Sequence, residues 1–258
     1  MREFKATGRI DVHAHYLPPG YRETAIAALK TVPDGMPSMP DWNSETTVAV
    51  MDRQDIATAM LSVSSPGVYF GDSAAARRLA RSVNEFAVQK AQDYPGRYGT
   101  FASLPLPDID AALEEIDYAL RVLKVDGFVM LTNFGGTYLG DAKFDPIFDE
   151  LNRRQAVIFI HPTSPPCWEH IALGYPRPMI EFPFESTRAV TNLVISGTLD
   201  RYPKFTDYRA ARRRDGAVLG APYLGSNPAN ESGRSRRPEG RVHRRVATPF
   251  LRHCRSVG

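Results

Sequence analysis

Two histidines separated by a single alanine stand in "IDVHAHYLPPG", residues 10 to 20, at the end of a short apolar run. On a β-strand, residues i and i+2 point to the same side, so His13 and His15 present both imidazoles to one space. Imidazole is a natural donor for Zn²⁺ and other borderline divalent cations. Taken alone, an H-x-H pair reads equally well as two buried, hydrogen-bonded histidines. Here the context favours ligands: the pair closes a strand, follows Asp11, an acidic residue able to orient it, and leads into a loop. A third imidazole, His161, closes another apolar run in "VIFIHPTSPP". A lone histidine after such a run is more often structural. Three at the C-terminal ends of two strands form a metal constellation, and His13, His15 and His161 are the expected ligands of one divalent ion.

Other chemistry-bearing residues are weaker signals. Arg53 in "MDRQDI" is a candidate for meeting a substrate carboxylate, against the simpler reading of a solvated helix face. His170 in "CWEH" reads as surface or loop, and no catalytic acid or base stands out. The Gly-rich "FGGTYLGD", residues 134 to 141, matches no phosphate-loop pattern and reads as a loop lining the mouth of a site.

The elements that must position these groups follow from hydrophobic periodicity. Strands are predicted at "RIDVH" (9 to 13), "ATAMLSV" (57 to 63), "YGTFAS" (98 to 103), "DGFVML" (126 to 131) and "VIFIH" (157 to 161), with helix-period segments between them. That alternation predicts βα units on a parallel sheet. In "IDAALEEIDYALRVL", Ile109, Ala112, Leu113, Ile116, Leu120 and Leu123 form one stripe, with Asp108 as N-cap. "DPIFDELNRR" is predicted as a helix capped by Asp145 with Pro146 at its first position. "FESTRAVTNLVISGTLDRYP" reads as one further helix, and the Pro-rich residues 31 to 42 as a long loop or lid. The strand starts recur every 37 residues on average, so a closed eight-unit barrel needs roughly 300 residues, more than the 258 present.

Composition bounds the rest. No window approaches the roughly 20 apolar residues of a membrane span, and no signal peptide is visible, so a cytoplasmic protein is expected. The two cysteines, Cys167 and Cys254, suggest neither a disulfide scaffold nor a zinc knot. Charge divides the chain: from Thr206 onward twelve Arg face four acidic residues, a net +8, while residues 1 to 205 carry −5.

The stretches "RIDVHAHYLPP", "GFVMLTNFGGTYLGDAKFDPIFDELNRRQAVIFIHPTSPP" and "EFPFESTRAVTNLVISGTLDRYP" resemble the amidohydrolase-related proteins of the aminocarboxymuconate-semialdehyde decarboxylase group, on the side of its 6-methylsalicylate decarboxylases. The likeness covers residues 9 to about 205. It implies a (β/α)₈ barrel of the metal-dependent-hydrolase type, a homodimer, and one divalent metal, usually zinc. The ligands it implies are the H-x-H pair, a strand-five histidine and a late aspartate, with a further histidine in an H-G-G-G segment after strand six. His13, His15 and His161 match; the late aspartate and the H-G-G-G histidine have no counterpart. The implied activity is non-oxidative decarboxylation of a small aromatic acid such as 6-methylsalicylate, in secondary metabolism or aromatic degradation. Loss of CO₂ from an aromatic ring is easy only once the ring carbon is protonated. The site therefore needs a cation for the substrate oxygens and a proton donor.

After "RYPKF" the resemblance stops and "TDYRAARRRDGAV" begins. A basic extension for nucleic acid and a solvated, disordered tail are two readings. A third fits the letters better: GC-rich codons for this segment, read one base later, spell L-I-I-A-P-H-G-G-G-T-V-P, and "FLRHCRS" similarly yields S-Y-D-T-A-V. The expectation is a partial barrel over residues 1 to 205, an out-of-frame, disordered tail over 206 to 258, and impaired activity. The rivals are a metal-dependent hydrolase acting on an amide or lactone, and a basic-tailed binding protein without catalysis.

Overall fold

The computed structural model of the protein describes residues 8–29, 34 and 39–207. Within these, β1 (Arg9–His15) is followed by α1 (Tyr21–Leu29), α2 (Ser44–Arg53), β2 (Ile56–Ser62), α3 (Ser73–Asp93), β3 (Tyr98–Ser103) and α4 (Ile109–Tyr118). Then come β4 (Gly127–Leu131), a hairpin of β5 (Asn133–Phe134) and β6 (Thr137–Tyr138), α5 (Asp145–Arg153), β7 (Val157–His161), α6 (Trp168–Ile171), α7 (Arg177–Ile195), α8 (Thr198–Arg201) and β8 (Thr206–Asp207). Six strands form one parallel sheet in the order β1-β2-β3-β4-β7-β8. This is an open half-barrel with helices on its outer side, the incomplete (β/α)₈ architecture that the strand count predicts.

Strand alternation separates two faces. Outward-facing Phe128, Met130, Ile158 and Ile160 pack with Ile116, Phe148 and the other helix residues of the main core. Burying each such side chain contributes about 1.5–3 kcal/mol. The long α3 covers the sheet with small residues, Ala76, Ala80, Val83, Ala87 and Ala91, which let its backbone approach closely. The inward face carries a smaller apolar layer of Met60, Phe101 and Val129, joined by Val12 and Phe159. Gly127 opens β4 because a Cβ there would lie 2.6 Å from the Val157 carbonyl of the neighbouring strand.

The five predicted strands all form, within one or two residues of their expected bounds. Four details differ. A short strand, β8, pairs with Val157 and Ile158, so β7 is not the sheet edge that the sequence suggests. Asp108 caps α4 as expected, accepting from the Ala111 N–H at 3.0 Å. Asp145, by contrast, lies within the first turn of α5, Phe144 takes the cap position, and the Asp145 carboxylate binds Arg201 at 2.7 Å instead. The single helix expected from residue 184 starts at Arg177, runs through Pro183, and breaks at Gly197, whose φ of 72° is left-handed, before α8. Proline inside a helix removes the bond to the carbonyl four residues back, here that of Met179, whose residue is 65% exposed. The Pro-rich loop of residues 31 to 42 lies partly, and the tail from residue 208 wholly, outside the described residues. Among the described residues no helix is long and apolar enough to cross a membrane.

Candidate metal centre

His15 and His161 stand at the C-terminal ends of β1 and β7, which β2, β3 and β4 separate in the sheet, and β1 delivers its pair through an irregularity. Between Asp11 and Ala14 the pairing of β1 with β2 slips by one residue, a bulge of the kind that re-aims a side chain. The His13 N–H bonds the Asp11 carboxylate at 2.9 Å. Asp11 thus steadies the backbone of the H-x-H segment, where the sequence suggested that it orients a ring. The three imidazoles gather with ring centroids 4.8 to 5.0 Å apart. One ring nitrogen from each lies within 4.8 Å of the others.

Two backbone carbonyls decide which nitrogens face inward. His15 Nδ1 is 3.1 Å from the Ser62 carbonyl, and His161 Nδ1 is 2.7 Å from the Pro162 carbonyl. A carbonyl only accepts, so both Nδ1 atoms carry the proton and both Nε2 atoms carry a lone pair. Those two Nε2 atoms stand 3.1 Å apart. With Zn–N bonds of about 2.0–2.1 Å, two ligands of one tetrahedral ion sit about 3.3–3.4 Å apart, and two at a right angle about 2.9 Å. The separation lies between these values. Two facing lone pairs repel, and a shared cation turns that repulsion into attraction. The donor set therefore fits a divalent metal.

Burial keeps the rings ready to ligate. The His15 pKa falls to about 4, mainly because burial penalises its charged form and also through nearby His13; the bond to Ser62 and the charge of Asp11 oppose this. His161 falls to about 3 by burial first, then by His15 and His13, against the bond to Pro162. Both are neutral at pH 7, the form a metal needs. Phe159 packs against the His13 ring and Phe182 against that of buried His161, while His13 itself stays exposed.

Arg53 is not brought to this place. It is exposed at the end of α2, just before β2 starts, and so stands at the opposite edge of the sheet from the histidines. His170 is exposed on α6, as expected, and His243 and His253 lie outside the described residues.

Sequence reasoning missed a cavity of about 310 Å³ at the same C-terminal edge, with apolar walls from Val63, Leu104, Val129, Leu131 and Trp168. Leu131 pairs in register with His161, and Ser103, Val129 and Leu131 occupy the inward face that His161 shares by alternation. Gly135 of the β5–β6 hairpin also lines it, as expected for a loop at the mouth; Gly135 and Gly136 both take positive φ, the two-residue hairpin turn. Its polar lining residues, among them Asp34, Ser103, Asn133, Thr163, Ser164 and Arg177, lack any motif spacing, which is why they went unseen.

Comparison with known proteins agrees with this geometry. The family described as Amidohydrolase matches residues 10–206. The chain is 41% identical over 202 residues to a 6-methylsalicylic acid decarboxylase of Penicillium expansum, covering 76% of this chain and 61% of that one. It is 38% identical over 236 residues to a decarboxylase of Penicillium terrestre, covering 86% and 67%. Among solved structures, a dihydroxybenzoic acid decarboxylase of Polaromonas with bound manganese and the inhibitor 2-nitroresorcinol superposes with a TM-score of 0.65 at 25% identity, covering 78% of this chain and 64% of that one. The chain spans about three-fifths to two-thirds of the length of the curated relatives it matches. Since the family match runs from the first strand through the last described one, the chain belongs to the amidohydrolase family.

Proposed function

We propose that the protein is built for metal-dependent, non-oxidative decarboxylation of a small aromatic acid such as 6-methylsalicylate, with His13, His15 and His161 holding the cation. The observation that carries this is the pair of unprotonated Nε2 atoms 3.1 Å apart, each fixed by a carbonyl behind its ring. The similarity to decarboxylases of aromatic acids supports the substrate class. When bound, the cation supplies Lewis-acid polarisation of the substrate oxygens. The chain does the rest. The carbonyls of Ser62 and Pro162 hold two rings in one tautomer, so binding needs no proton rearrangement there. Phe159 and the layer of Phe101 and Val129 close the floor beneath and exclude water. The apolar cavity takes the aromatic ring.

A set of imidazoles suits Zn²⁺, and zinc is the ion we propose, although the Polaromonas relative holds manganese. The location we propose is cytoplasmic and the assembly a homodimer. No described residue supplies the late carboxylate or the proton donor that the sequence resemblance implies. We attribute this to a slip of reading frame near Phe205, so turnover by the chain as written is low. Resequencing codons 200 to 215 tests the slip; an intact frame there removes it.

The function is tested with frame-restored protein, supplied with Zn²⁺ or Mn²⁺ and incubated with 6-methylsalicylate while CO₂ is measured. Metal-dependent CO₂ release is the expected result. Hydrolysis of an amide or lactone without CO₂ release favours the hydrolase instead. Metal analysis of the chain as written, with about one ion per chain lost on His161→Ala, tests the ligand set separately.

A further inference from the structure

Five buried side-chain nitrogen or oxygen atoms among the described residues have no hydrogen-bond partner, and three of them, Ser103 Oγ, Ser164 Oγ and Arg177 Nε, belong to residues lining the 310 Å³ cavity. An unpaired buried polar group costs about 1–3 kcal/mol, so three at one place indicate something that binds there. Arg177, the first residue of α7, has a side chain only 15% exposed and stacks its guanidinium 4.0 Å over the Trp168 ring. Its nearest carboxylate, Asp34, is 3.9 Å away, too far for a hydrogen bond. Asp34 is already held by the Ser65 hydroxyl and by the Ser164 N–H at 3.2 Å. The guanidinium fork is therefore positioned by stacking on Trp168 and by this long ion pair with Asp34, while its Nε–H stays unused.

We propose that this cavity is a carboxylate-recognition site, in which Arg177 binds the carboxylate of a small aromatic acid and Ser103 and Ser164 bind its other oxygen substituents. The proposal rests on the aromatic-acid reading given above and assigns to Arg177 the role that the sequence suggested for Arg53. Three features fit such a ligand. The planar fork of arginine matches a carboxylate with two parallel bonds. The walls are apolar, as one aromatic ring requires, and the volume is of the order that one ring with its substituents fills. The three unpaired atoms supply hydrogen-bonding groups for the oxygens that a benzoic acid carries. Asp34 faces the same space and opposes an anion, so the site selects for a ligand that reaches the fork and keeps away from that carboxylate.

The test uses the full chain freed of metal with a chelator and titrated with salicylate and with its uncharged counterpart salicylamide. Trp168, one of two tryptophans in the chain, reports binding by fluorescence. The expected result is salicylate bound at least about tenfold more tightly than salicylamide, the worth of one charged hydrogen-bonded contact. Arg177→Met is expected to bring that ratio near one while salicylamide still binds, which shows that the variant is folded. Arg177→Lys keeps part of the preference, and Arg53→Met keeps all of it. Arg177→Met with its preference intact, equal binding of the two probes by the unaltered protein, or binding of neither, overturns the proposal. Because no metal is present, failure of the decarboxylase reading is seen separately: His161→Ala abolishes metal binding but leaves the salicylate preference in place.

Discussion

At Ser103 the two faces of the sheet treat polar groups in opposite ways within one residue. On the outer side its backbone N–H donates to Asn84 Oδ1 at 2.7 Å, and its carbonyl accepts from Asn84 Nδ2 at 2.9 Å. Asn84 also donates to buried Glu115, which in turn is held by Arg81. On the inner side the Ser103 hydroxyl has no partner at all. Outside, this polar network is satisfied and holds α3, α4 and β3 together. Inside, unsatisfied donors and facing lone pairs collect at one edge. Satisfied polarity is structure; unsatisfied polarity at the C-terminal edge is where a ligand supplies the missing partner.

The largest effect expected from breaking this contrast is on the outer side. Asn84→Ala leaves the Glu115 carboxylate and the Ser103 peptide groups short of partners and is expected to cost about 3–5 kcal/mol in urea unfolding. Binding of metal by the fraction still folded should not change. His161→Ala reverses the pattern: metal affinity, measured by competition with a chromophoric chelator, falls by more than about 100-fold, while unfolding in the absence of metal changes by less than about 1 kcal/mol. A comparable loss of stability in both variants would remove the distinction between the faces.

Acid sharpens the comparison next. His15 and His161 have folded pKa values near 4 and 3, below the ordinary 6.5 that the unfolded chain shows. Their neutral burial therefore contributes fully above about pH 6.5, and stability is lost as pH falls from there towards 4, by on the order of 1–3 kcal/mol. Metal-free protein should show this slope in pH-dependent unfolding, and His15→Ala with His161→Ala should flatten it. The smallest effect belongs to Ser103→Ala, which removes an unpartnered hydroxyl and leaves both Asn84 bonds in place. Stability should stay within about 0.5 kcal/mol of the parent or rise, with salicylate binding only a few-fold weaker. A loss above about 2 kcal/mol would mean that the hydroxyl is structural.

Much of this arrangement was legible in the letters. Strands of a parallel sheet buried on both faces read as continuous apolar runs, so "GFVML" and "VIFIH" declared themselves. The three histidines were legible because each stands where such a run stops. The bulge in β1 was not: a one-residue slip leaves no mark on an apolar pattern, and only the pairing with β2 reveals it. Pro183 hid the first turns of α7, since proline more often ends a helix than sits within one. Arg177 and its neighbours were hidden for a different reason. Ser103, Ser164 and Arg177 come from three separate loops or element ends, and their convergence depends on sheet order, which spacing along the chain does not encode. Arg53 was chosen because it follows the long Pro-rich loop, but it stands at the end of the sheet away from the histidines.

Because every strand of the sheet lies next to the one made just before or after it, apart from the small hairpin, assembly can proceed by accretion. A ribosome delivering the chain from its N-terminus hands each βα unit a template already standing, and no strand has to wait for a distant partner or thread between two others. The His13–His15 pair is therefore laid down at the outset, and its partner on β7 arrives only after three further strands are in place. The capture of a metal ion by all three rings would then be a late event in biosynthesis, a checkpoint that only a correctly stacked series of units can pass.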